Sequence, residues 1–384
     1  MQLSKNQIKR IAGLELNALN FAEAMPDALE GGRLRSAGTP VYDINGSVLF
    51  HRIPIARSRG RAGYADVGSN AALGEPLLAT TIGAEWNERK VLKEATAAAK
   101  KGRRSLKFNK VRFVAYSFPK VAVQFLKGNR EALMLEWKTW AEVAPSNFER
   151  WSLLDEMPAP AKRANVRKFK KRVAIWESRK FRRVDSAIIK RKAFRQRKFV
   201  LKLTDTRELH YSPRPADHHP CYELRGQQTP VWCVAASVEM LLNFYRYQYD
   251  QVRLADELDL GTCAHPNGLP YSQVGKVVTV IEKLTSKNLD ATMHTNPGWS
   301  VFRNEIRANR PLISFVPGHS RTVAGYTQSM IHLPDKLPYK GLLVYDPWPP
   351  TDCDHPEDGG VITKWENFAT QTYQFAYSAV LKHI

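Results

Sequence analysis

Apolar residues recur every three to four positions over residues 3–25. Ile8, Ile11, Leu14, Ala18 and Phe21 line up behind a Ser4 cap, which predicts an amphipathic helix. A Gly-rich connection, LEGGRLRSAGTP, follows. In VYDINGSVLFHRIPI the pair Asn45-Gly46 separates two apolar, β-branched runs and predicts a hairpin with a type I′ turn. GYADVG and PLLATTIG read as two more short strands. Trp86 to Lys101, with its Ala-rich interior, reads as a helix. RFVAYSFPKVAVQF alternates with period two around Pro119, so it is a strand pair or a strand with an edge Pro. Asn129 to Trp140 returns to helix. Up to residue 150 the pattern is α+β: helices at the ends and a small antiparallel sheet between them.

Pro158 and Pro160 mark a boundary. Beyond it Val166, Phe169, Val173, Trp176, Val184 and Ile188 keep helical spacing among many cations. SPRPADHHP, residues 212–220, then reads as a Pro-rich linker. In the C-terminal half, Val234, Ala235, Val238, Leu241, Leu242 and Phe244 form the stripe of a buried helix. Leu312 to Val316, Thr322 to Tyr326 and Leu342 to Tyr345 read as strands.

Charge divides the chain in the same place. Of 58 Lys and Arg against 37 Asp and Glu in 384 residues, the stretch 221–384 holds 14 and 16, so the net charge of +21 lies wholly upstream. Residues 161–200 hold 17 basic residues against Glu177 and Asp185. Such a stretch is a solvated helix packed through its stripe, or a contact for nucleic acid, another polyanion or anionic lipid. No zinc-finger spacing, RNA-binding signature or Gly-rich phosphate loop singles out a nucleic-acid module. Four cysteines are too few for a disulfide scaffold. The N-terminus lacks the apolar core of a signal peptide, and no run reaches the length of a membrane span. The expectation is a cytoplasmic chain whose cysteines are thiols, with export by a signal-less route as the alternative.

The chemistry gathers around Cys233. It follows Thr229-Pro230 and Trp232 and opens the apolar helix. Unpaired N–H groups and the helix dipole at such a position favour a thiolate, the nucleophile of acyl transfer. Gln227 and Gln228 lie six and five residues upstream, where a side-chain amide can donate to an oxyanion. The turn Pro317-Gly318 delivers His319, a candidate base. Asp346 ends a strand ahead of Pro347-Trp348 and can fix the imidazole. Cys263 with His265, Cys353 with His355, and His218 and His219 with Cys221 invite a structural zinc, but none has two ligand pairs at zinc-finger spacing. The plainer reading places them in loops rimming a cleft.

The motifs Gln227-Gln228 with Trp232-Cys233, Gly318-His319 with Gly325-Tyr326, and Tyr345-Asp346-Pro347-Trp348 resemble the papain-like cysteine peptidases of the bacteriocin-leader-processing kind and related bacterial effector peptidases. Asn267-Gly268 and Asn309-Arg310-Pro311 add to the likeness. The resemblance implies a papain-like domain over 221–384, a helical lobe plus an antiparallel β lobe. It implies a Cys233–His319–Asp346 triad with Gln227 at the oxyanion hole, since its spacing of six matches the family's. It also implies a peptide or protein substrate and no metal or organic cofactor. Asp346→Asn is expected to be mild, because some relatives use Asn there. Ser320-Arg321 departs from the family pattern, and Arg321 either selects an acidic substrate or points outward. Residues 35–150 resemble PepSY-like propeptide modules, which implies a regulatory or substrate-recruiting region. Residues 1–34 form a helix and connection, and 151–211 a basic helical segment. The alternative is a non-catalytic papain-like binding protein that holds an anionic partner through the basic helix.

Overall fold

The computed structural model describes residues 3–18, 32–35, 38–56, 63–83, 86–102, 106–146, 150–178, 205–209, 224–328, 340–351, 353–354 and 361–382. The fold is α+β. It divides into two compact units, residues 1–203 with 330–338, and 204–329 with 339–384. Residues 19–25 of the expected first helix, the basic stretch beyond 178, the expected linker 212–220, and His218, His219, Cys221 and His355 lie outside the described residues.

Unit 1 opens with α1 (Lys5–Ala18). Ser4 Oγ accepts from Gln7 N–H while Gln7 Oε1 accepts from Ser4 N–H, a reciprocal cap. The strands are β1 (Arg33–Leu34), β2 (Thr39–Asp43), β3 (Val48–Ala56), β4 (Gly63–Gly68), β5 (Leu77–Ile82), β6 (Lys110–Ser117), β7 (Lys120–Lys127) and β8 (Arg130–Glu136). They run in the order β5-β4-β3-β2-β6-β7-β8, with β1 on β3. Every pairing is antiparallel except β2 with β6. Helix α2 (Glu88–Gly102) packs Val91, Ala95 and Ala99 into the core beneath the sheet.

Two local expectations change. The hairpin at Asn45-Gly46 forms, but only Gly46 has positive φ (+92°). Gly46 N–H donates to Asp43 O, and Asp43 N–H to Ser47 O. This is a three-residue loop, a type I turn closed by a left-handed glycine, rather than type I′. The second change is larger. Residues 129–140, expected as helix, contain strand β8, paired with β7. Gly128-Asn129 is the two-residue loop joining them, with Gly128 at φ +63°. Leu133 and Leu135 enter one core while Met134 enters the other, so the alternation serves two buried faces. Burial on both faces overrides the helix propensity of EALMLE.

Helix α3 (Leu153–Glu156) and helix α4 (Ala159–Glu177) complete unit 1. The stripe on α4 holds at Phe169, Val173 and Trp176, and Arg172 joins it. Arg172 clasps Glu15 of α1 with two bonds of 2.6 and 2.7 Å, and Trp176 Nε1 donates to the same carboxylate. Helices α1 and α4 are thus fastened by a buried ion pair, and Arg172 is removed from the cationic face.

Unit 2 begins with β9 (Asp205–Glu208), upstream of the expected start at 221. Its helices are α5 (Cys233–Phe244), α6 (Gln251–Glu257), α7 (Lys276–Leu284) and α8 (Trp299–Arg307). Its remaining strands are β10 (Leu289–Thr295), β11 (Leu312–Val316), β12 (His319–Gln328), β13 (Lys340–Asp346), β14 (Ile362–Asn367) and β15 (Phe375–Leu381). The order is β10-β15-β11-β12-β13-β14, with β9 on β12, all antiparallel. The predicted stripe of α5 is buried among the core residues of β11, β12 and β13.

Glu208 ends β9, and burial pushes its carboxyl up to about 7. A folded value above the unfolded one means that ionising Glu208 costs stability, a cost that grows as pH rises from the ordinary carboxylate range to about 7. Glu208→Gln should therefore raise the melting temperature at about pH 8 and leave it nearly unchanged at about pH 4. Equal shifts at both pH values in a thermal melt would contradict this.

Candidate active site

Trp232, fully buried, precedes α5 and anchors it by donating its indole N–H to Leu260 O at 2.9 Å. Its side chain provides no cap to α5. Cys233 is the first residue of that helix, half-buried, and is the free cysteine among the described residues.

His319 is the first residue of β12. The Pro317-Gly318 turn places it there: Val316 and His319 are paired, and Gly318 sits at φ +67°. The imidazole is buried, and its Nε2 lies 2.6 Å from Asp346 Oδ1. With Nε2 taken by Asp346, Nδ1 is the ring atom left for the thiol. Burial disfavours the charged ring, but Asp346 and then Cys233 outweigh it and raise His319 above its ordinary value.

Asp346 ends β13, also buried. Oδ1 additionally accepts from Trp348 N–H at 3.1 Å, and Oδ2 accepts from Lys364 Nζ at 2.7 Å. Burial opposes ionisation, yet Lys364 and His319 hold the carboxyl well below the usual carboxylate range.

Gln227 is brought beside this group by two backbone bonds. Its N–H donates to Pro347 O at 2.9 Å, and Thr351 N–H donates to Gln227 O at 2.7 Å. Its side-chain Nε2 donates to Thr229 O at 2.7 Å, which leaves the second Nε2 hydrogen to donate elsewhere. The loop before it is moored by Gln251. That side chain accepts from Gln228 N–H and donates to Gly226 O and to Glu239. The elements that carry Gln227, Cys233, His319 and Asp346 therefore converge.

Two sequence expectations are corrected here. Cys263 and Cys353 form a disulfide, with Cα atoms 6.2 Å apart, so these two are not thiols. Two loops 90 residues apart in sequence bring them together, a proximity no local spacing reveals. Arg321 neither selects substrate nor points outward. It is fully buried and holds Glu366 at 2.5 and 3.1 Å. Lys364, Glu366, Gln251 and Glu239 were not anticipated, because each reaches the site only through strand register or a helix contact. Among the described residues no cluster of His, Cys, Asp or Glu could hold a metal ion, and no helix is long and apolar enough to cross a membrane.

Residues 219–374 match the Peptidase_C39 like family. This region is thus similar to cysteine peptidases of that family. No curated protein matches the chain. Among solved structures, the crystal structure of UfSP from C. elegans is similar at 12% identity and a TM-score of 0.27. The match covers 46% of this chain and 34% of that one, so the chain spans about a third of that protein's length.

Proposed function

We propose that the peptidase domain hydrolyses peptide bonds through Cys233, His319 and Asp346, with Gln227 and the Cys233 N–H at the oxyanion hole. The observation that carries this reading is the buried His319, held by Asp346 on one ring nitrogen and partnered by Cys233. The Cys233 thiolate attacks the substrate carbonyl carbon. The oxyanion is held by the two amide donors. As the C–N bond breaks, His319 gives its proton to the leaving amine. Water then attacks the thioester, His319 takes the water proton, and the acid leaves. Asp346 fixes the ring so that Nε2–H stays directed away from the sulfur.

Proteome-wide cleavage-site mapping with wild type against Cys233→Ala tests the reading. New peptide termini confined to the wild type support it. Their absence, or glutamine deamidation in their place, overturns hydrolysis.

Residues 35–150 are proposed as a propeptide-like module that regulates the peptidase or recruits its substrate. Strand β9 belongs with unit 2, so the halves should be separated ahead of residue 205 rather than in the 212–220 linker. Raised activity on a short fluorogenic peptide after cleavage favours inhibition. Unchanged activity on that peptide with a loss on protein substrate favours recruitment.

Polyanion contact is the second proposal. It is supported by Lys162, Arg163, Arg167, Lys170 and Lys171, all exposed on α4. Retention on heparin that falls steeply with salt is the expected result. The site of action is proposed as an oxidising compartment rather than the cytoplasm, because a disulfide persists under oxidising conditions.

A further inference from the structure

The catalytic carboxylate does not end the chain of charges. Asp346 Oδ2 takes the Lys364 ammonium at 2.7 Å, and Lys364 lies 4.0 Å from Glu366. Glu366 is in turn clasped by Arg321 and accepts from Tyr373 OH at 2.7 Å. All five side chains are buried. Asp346, Lys364, Glu366 and Arg321 come from β13, β14 and β12 and carry two negative and two positive charges. The cluster is therefore neutral before the thiolate–imidazolium pair is added beside it. Burying four charges is costly and is not a route to stability by itself.

We infer that Lys364 is a positioning residue of the peptidase: it occupies the second oxygen of Asp346, orients the carboxylate toward His319, and sets the charge that His319 meets. The inference rests on the peptidase reading. It has a consequence opposite to that drawn from relatives with Asn. With Lys364 in place, Asp346→Asn leaves an ammonium close to an imidazolium with no carboxylate between them. Like charges in a low dielectric disfavour the protonated ring. The proton then returns to Cys233, and the thiol ionises only in its ordinary range. Removing Lys364 as well takes away the repulsion and restores the pair.

The groups that face His319 are Asp346 on β13, Cys233 on α5, and, through Asp346, Lys364 and Glu366 on β14 and Arg321 on β12. A single Lys364→Gln change leaves Asp346 less neutralised. The imidazolium is then favoured over the neutral ring, the thiolate persists to lower pH, and the acid limb of alkylation moves downward.

The test is the rate of Cys233 alkylation by iodoacetamide as a function of pH, read by mass spectrometry on the full chain. A nearby charge moves a titration by about one unit or more, so Asp346→Asn should slow alkylation at about pH 6 by roughly tenfold or more. The double variant Asp346→Asn with Lys364→Met should recover at least about threefold of that loss, a non-additivity expected only of directly coupled groups. If either of these variants fails to fold by circular dichroism, Lys364→Gln alone decides. A downward shift of its acid limb supports the inference, and an unmoved limb overturns it. A double variant no faster than Asp346→Asn also overturns it, because a merely structural lysine would add its own loss. A wild-type Cys233 no more reactive than a free model thiol at about pH 6 overturns the peptidase reading, and this inference with it. Fast wild-type alkylation without recovery removes this inference alone.

Discussion

Replacing Cys233 by Ala should lower kcat/KM by about a thousandfold or more and leave the fold intact. The side chain is half-buried at the first position of α5, and Ala is the best helix former, so only the sulfur is lost. His319→Ala should be as severe, because nucleophile and base act as a unit and their losses do not add. The pH dependence has a definite sign. The folded value of His319 is raised, so the imidazolium is fully present below the ordinary histidine value of about 6.5 and is lost only as pH rises through the higher folded value. The alkaline limb of kcat/KM should accordingly lie above about 6.5. Stability linked to the His319–Asp346 pair should fade over the same alkaline window. Asp346 acts at the other end. Its depressed value gives stability that is present above the ordinary carboxylate range and is lost as pH falls through the folded value. Turnover by Cys233→Ala within tenfold of wild type would remove Cys233 as the nucleophile. An alkaline limb at or below the ordinary histidine value would contradict the charge arrangement.

The proposed triad can be read from the sequence because each of its members sits at a local signal. A cysteine opens an apolar stripe, a histidine follows Pro-Gly, and an aspartate closes a strand before Pro-Trp. What surrounds the triad was not legible, and the reason is register. Lys364 is paired with Val344 and Asp346 with Ile362, so the lysine reaches the carboxylate diagonally across two strands. Nothing in the local sequence of β14 fixes that alignment. Arg321 failed as a sequence reading for the same reason. Its neighbour His319 suggested substrate, while its partner Glu366 lay 45 residues away. The disulfide is a third instance, with a contact of long sequence separation between two loops. Strand β8 fails differently. EALMLE satisfies helix propensity, and only the Gly128-Asn129 loop hinted at a hairpin. Local signals single out Cys233, His319 and Asp346. Contacts across the sheet supply the charges that tune them.

Gln227→Ala should cost about a hundred- to a thousandfold in kcat with little change in KM, because an oxyanion donor acts on charge that develops only in the transition state. The amide is well placed for such a role. Its backbone is bracketed by Pro347 O and Thr351 N–H, the segment that follows Asp346, so the donor is set in register with the triad. Its Nε2 already spends one hydrogen on Thr229 O, which fixes the amide plane before substrate arrives. A donor held in advance pays no reorganisation when charge appears. Gln227→Glu tests the donor separately from the shape, since a carboxylate of the same size accepts but cannot donate when ionised. Its loss in kcat should equal or exceed that of Ala. Gln251→Leu gives the control for position. It frees Gly226 O and Gln228 N–H without touching the amide, and should lower kcat less while also lowering the melting temperature. If Gln227→Ala and Gln227→Glu both keep wild-type kcat, the oxyanion is held by the Cys233 N–H and another donor, and Gln227 serves only to tie the loop before α5 to the end of β13.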